Sequence, residues 1–179
     1  MLERGRQADE KVKATFSSLS LSQLNWKPAE DSWSIGQCLD HLIVADCSYF
    51  PQFKKIASGN FRMKFWERWN PFNGLWGKIM VNYVQEKPRR KLKAPKIILP
   101  AAHDIDAVVL ERFHKHLDTL LEYIAAYQKT DLDKTHITSP ISKFITYSLR
   151  RAILLLMQHE HRHINQAIRV KQAKDFPLV

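Results

Sequence analysis

Between residues 105 and 127, the apolar side chains Ile105, Val108, Val109, Phe113, Leu117, Leu120, Leu121, Ile124 and Tyr127 recur mainly at intervals of three and four. That spacing matches the 3.6-residue turn of an α-helix, not the two-residue alternation of a strand. A helix with one apolar stripe must bury that stripe, and other helices are its simplest partners. The chain supplies three. A first helix is expected from about Leu2 to Leu19, with Val12, Phe16 and Leu19 as its stripe. A second is expected from Ile35 to about Ile56. The third, which carries the stripe above, should start near Pro100, because proline suits the first turn. The fourth should begin at Ser139-Pro140, a cap followed by proline, and run to about Lys171. No strand-like alternation or internal repeat stands out. The expected fold is all-α, a four-helix up-down bundle forming a single domain over residues 1–179.

One segment does not fit a short bundle loop. Residues 59–99 carry Phe61, Phe65, Trp66, Trp69, Phe72, Trp76 and Tyr83, and then the basic, proline-broken run Lys87-Pro88-Arg89-Arg90-Lys91-Leu92-Lys93-Ala94-Pro95-Lys96. A short helix from about Gly74 to Gln85 is expected inside it. The segment reads as the long crossover of the bundle. It would lid the open end or extend a dimer interface.

Charge and cysteine use bound the function. The formal charge is +10 at pH 7. Basic residues among aromatics can bind nucleic acid or an anionic surface. No recognition helix, RNA-binding signature or phosphate loop accompanies them, so specific nucleic-acid binding is not expected. An anionic small substrate drawn to a positive pocket explains the charge at least as well. The longest apolar run, Ala152 to Met157, is too short to span a bilayer, and the start of the chain does not read as a signal peptide. A cytoplasmic protein is expected, with no membrane partner. Cys38 and Cys47 both fall on the second helix, roughly 13 Å apart along its axis. They cannot pair within the chain, which fits a reducing compartment. Cys38 reads as a core thiol.

The residues that carry chemistry are histidines. His159 and His163 stand four apart in the fourth helix and so project from nearly the same face, one turn apart. His161 points the other way. Neutral imidazole is a common ligand for zinc and suits nickel, copper and iron. The pair alone reads more readily as a solvated or capped helix with one histidine partly buried. His41 is the best third candidate. It lies two turns into the second helix, which opens with Ser34 as cap and Gln37 three residues on, a capping box, and with Trp33 placed to staple against Cys38.

The stretch from Leu24-Asn25-Trp26-Lys27-Pro28 through Trp33-Ser34-Ile35, then His41-Leu42, and much later His159-x3-His163-x2-Gln166, resembles the DinB/YfiT-like superfamily of metal-dependent enzymes. The resemblance covers nearly the whole chain. It implies a four-helix bundle, a homodimer, and one divalent metal, often nickel or zinc, on three histidines. Those positions fall on His41, His159 and His163. Three histidines leave coordination positions open, as in catalytic rather than structural sites. By resemblance to characterised relatives, the leading chemistry is thiol-dependent S-transfer or isomerisation with a low-molecular-weight thiol such as bacillithiol or mycothiol, acting on an electrophilic substrate. A coordinated thiol readily loses its proton. Metal-dependent hydrolysis is the alternative within the enzyme class. A non-catalytic, stress-related metal-binding module is the alternative outside it. Asp40 and Glu160 adjoin expected ligands, but each lies about 100° around its helix, so neither clearly faces the ion. Gln166, one turn beyond His163, could orient a ligand or bound water.

Overall fold

The computed structural model describes residues 1–84 and 104–178. Its elements in chain order are α1 (Leu2–Phe16), α2 (Leu21–Asn25), α3 (Ile35–Cys47), α4 (Phe50–Ala57), α5 (Phe65–Trp69), α6 (Asn73–Tyr83), α7 (Val109–Ala126), β1 (His136–Thr138), β2 (Thr146–Ser148) and α8 (Leu149–Lys171). The fold is all-α apart from the two-stranded hairpin β1–β2. Helix α3 packs between α7 and α8, and α1 closes the bundle against the same two helices. Phe16, Leu39, Leu42, Phe53, Phe113, Leu117, Leu120 and Leu156 fill the interior and are essentially inaccessible to water. Burying each such side chain contributes about 1.5–3 kcal/mol, enough to hold four amphipathic helices together.

The described residues move several expected boundaries. The first helix ends at Phe16, and Ser20 starts α2 with a capping box of its own: its side chain accepts from the Gln23 N–H, and the Gln23 side chain accepts from the Ser20 N–H. The expected second helix is two helices, α3 and α4. Pro51 lies in the first turn of α4. It has no N–H to bond the carbonyl four residues back, at Cys47, and its ring crowds that carbonyl. Pro100, the expected start of the third helix, lies outside the described residues. Helix α7 begins at Val109, because the backbone of Ile105 is engaged elsewhere. Its N–H donates to Asn25 Oδ1 (2.8 Å), and its carbonyl accepts from Asn25 Nδ2 (2.7 Å).

Ser139-Pro140 does not begin the fourth helix. It lies in the turn of an antiparallel hairpin in which Ile137 pairs with Tyr147. Ser-Pro initiates turns as readily as helices. The cap of α8 is Ser148, whose side chain accepts from the Arg151 N–H. Three-residue strands are too short to display alternation in the sequence.

The hairpin anchors the crossover. Glu67 of α5 is buried and accepts from Thr138 Oγ1 (2.6 Å) and from the backbone N–H of Lys64 (2.6 Å). Asn70 Nδ2 donates to Thr146 Oγ1 (2.8 Å), and α6 packs on β2 and α8. The short helix expected at Gly74–Gln85 is α6, one residue earlier at its start, while α5 was not expected. Phe65, Trp66, Trp69 and Phe72 remain largely exposed. The basic run from Lys87 to Lys96 lies outside the described residues.

Candidate metal centre

Ser34 and Gln37 form the capping box read from the sequence. The Gln37 N–H donates to Ser34 Oγ (3.1 Å), and the Ser34 N–H donates to Gln37 Oε1 (3.2 Å). This fixes the start of α3 and hence the azimuth of His41, two turns on. Trp33, at the entry to the helix, lays its indole against His41 (centroids 4.9 Å apart) and stacks on His163 (5.6 Å, 24° between planes).

The structure brings His41, His159 and His163 together. Their ring centroids are 4.6–4.8 Å apart, and one nitrogen from each lies within 4.8 Å of the others. His41 Nε2 and His159 Nε2 are 3.0 Å apart. All three residues are buried. Burial, joined by the charges of the other histidines and of Arg162, holds His159 well below the usual imidazole range. Burial and the charges of His41 and Arg162 push His163 down to about 3. Both rings are therefore neutral at pH 7, the form that binds metal. His163 Nδ1 is buried without a hydrogen-bond partner. Gln166 stands beside His163 and favours its charged form, without completing a hydrogen bond to that nitrogen. Two nitrogens about 3.0–3.4 Å apart are what one ion with bonds of about 2.0–2.1 Å requires. Neutral rings, a convergent geometry and an orphaned nitrogen together fit a divalent ion.

The neighbours not expected to face the ion are engaged elsewhere. Asp40 accepts from Arg112 Nη2 (3.1 Å), and His161 is exposed beside Asn165. Glu160 turns to a second cluster that the sequence reading missed. His116 Nε2 lies 3.1 Å from Glu160 Oε1 and 3.6 Å from Asp46 Oδ2, and all three residues are buried. Burial opposes charge on His116, but the acids close to its Nε2, Asp46 and Glu160, outweigh that and raise it to about 10. Burial, reinforced by the charge of Glu160, raises Asp46 well above the carboxylate range. A signal was present. His116 lies three residues after Phe113 and four before Leu120, on the stripe itself, where a polar ring needs a partner. Cys38 packs in the core, and burial raises its thiol to about 12, so it is not a thiolate ligand. Cys47 is exposed.

A model of the DinB superfamily matches residues 4–167. The chain belongs to the DinB superfamily. It is similar to the uncharacterized protein YuaE of Bacillus subtilis (strain 168), at 27% identity over 168 residues that cover 88% of each chain. No solved structure matches it significantly. The DinB match spans both buried clusters, each of which could hold a metal ion. Among the described residues, no helix is long and apolar enough to cross a membrane.

Proposed function

We propose that this DinB-superfamily protein is a metal-dependent thiol S-transferase in which His41, His159 and His163 hold one divalent ion, nickel or zinc. The observation that carries the reading is a buried set of three imidazoles without a carboxylate among them. Such a set adds no negative charge, so an ion held there keeps its full charge and attracts an anionic ligand. When bound, the ion supplies Lewis acidity that lowers the pKa of a coordinated thiol or water. His159 and His163 are already neutral, so no proton need be displaced from them at pH 7. Trp33 walls one side of the cluster and restricts the orientation of His41 and His163. The charges of Arg162 and Arg169 are felt at His163, which favours a thiol that carries carboxylates. Gln166 would orient a ligand beside His163. The role first expected of Lys87, Arg89, Arg90 and Lys91, charge over the mouth of the site, falls outside the described residues.

A cytoplasmic location fits the reading, since the chemistry needs reduced thiols. A homodimer would cover the exposed rings of Phe65, Trp66, Trp69 and Phe72. The test supplies several cellular thiols with an electrophile such as a bromobimane or a chlorinated aromatic. Metal-loaded protein should react faster than metal-free protein and than His41→Ala. Equal rates would reject the transferase and leave metal-dependent hydrolysis, or a non-catalytic metal-binding role, as the reading.

A further inference from the structure

Asp46 of α3, His116 of α7 and Glu160 of α8 meet inside the bundle from three different helices. The side chain of Asp46 is 0% exposed and that of Glu160 1%. Neither Asp46 oxygen, nor Glu160 Oε2, nor His116 Nδ1 has a hydrogen-bond partner. Buried polar oxygens left without a partner are unfavourable and call for one. The spacing indicates what that partner could be. Two donors on one ion, at bonds of about 2.0–2.2 Å, lie about 3.0–3.6 Å apart. His116 Nε2 stands 3.1 Å from Glu160 Oε1 and 3.6 Å from Asp46 Oδ2.

We propose that Asp46, His116 and Glu160 form a second divalent-cation site, separate from the three histidines and selective for a harder, oxygen-preferring ion such as manganese(II). The donor sets differ in kind. Three imidazoles suit zinc or nickel, whereas two carboxylates and one imidazole suit a harder ion. A cation here neutralises both carboxylates and gives their unpartnered oxygens a ligand role. His116 binds through Nε2, with its proton on Nδ1. The site is sealed, so the ion enters as the bundle folds or opens, not by exchange at the surface. The competing occupant is a proton, with His116 charged between the two acids, and that form takes no metal.

The test refolds the full chain from denaturant and chelator in the presence of zinc and excess manganese, desalts it, and counts both metals by mass spectrometry. Wild type should retain about one manganese per chain. His163→Ala should retain it as well, whatever becomes of the zinc. Asp46→Asn and His116→Gln, folded by circular dichroism, should hold manganese at least tenfold more weakly. If neither variant folds, the electron-spin signal of wild-type manganese decides. Coupling to one imidazole nitrogen supports the site, and coupling to several or to none overturns it. Folded wild type without manganese, or manganese lost in His163→Ala and kept in Asp46→Asn and His116→Gln, also overturns it. The three-histidine reading stands or falls separately, on the zinc count of His163→Ala.

Discussion

His159 and Glu160 are adjacent on α8 and serve opposite kinds of cluster. His159 joins two other histidines, where His41 and His163 discourage charge on His159 and His41 does so on His163. Glu160 joins a histidine and another acid, and there the imidazole is held charged. Both clusters are buried in the same bundle and both draw on α3 and α8. One residue type therefore shifts in opposite directions, down to about 3 at His163 and up to about 10 at His116. Burial is common to both and disfavours charge at both. The neighbours set the sign. A set of like bases is stable neutral and leaves lone pairs for a metal. A base between two acids is stable charged, or with a cation in place of its proton.

The largest effect should come from removing the imidazole between the acids. His116→Ala leaves Asp46 and Glu160 facing each other without a counter-charge, and should cost about 3–5 kcal/mol in urea unfolding at pH 7. His163→Ala in metal-free protein should cost less than half as much, since the ring it removes has an unpartnered nitrogen. Equal costs would erase the contrast between the clusters.

The pH dependence of metal-free protein should separate them next. His159 and His163 are depressed on folding, so the stability they carry is present above about 6.5 and is lost as pH falls below it, for His163 toward about 3. Each contributes a slope of up to about 1.4 kcal/mol per pH unit. His116 is raised, so its contribution is present below about 6.5 and is lost as pH rises toward 10. Chemical denaturation across pH 4–10 should show both limbs. His163→Gln should flatten the acid limb, and His116→Gln the alkaline one. The same limb flattened by both variants would mean that the clusters titrate as one.

A smaller effect is expected from Trp33, whose ring touches two of the three histidines. Trp33→Ala should weaken zinc binding about tenfold in calorimetry, as loss of a residue that orients ligands does. Trp33→Phe should restore most of it. Unchanged affinity in Trp33→Ala would leave Trp33 a packing residue only.

Part of the three-histidine cluster was legible from local spacing, and the resemblance to the DinB/YfiT-like superfamily joined His41 to the pair. The four-residue spacing puts His159 and His163 on one face, and the Ser34–Gln37 box sets the phase of His41. The second cluster was not, because its members lie on three elements and no local spacing links Asp46 to His116 and Glu160. The only trace was a histidine on the apolar stripe of α7. The fold divides in the same way. Long stripes gave the four helices of the bundle. The break at Pro51, the delayed start of α7 and the hairpin at Ser139-Pro140 depend on partners distant in sequence, such as Asn25 for Ile105 and Tyr147 for Ile137.

The metal centre depends on His41, His159 and His163 binding one ion through imidazole nitrogens. X-ray absorption at the zinc edge, on full-length protein given slightly less than one equivalent of zinc, tests it most directly. The expected result is a shell containing three imidazole nitrogens at about 2.0–2.1 Å, with scattering from three rings that drops in His163→Ala. A shell dominated by carboxylate oxygen, or one identical in wild type and His163→Ala, would contradict it.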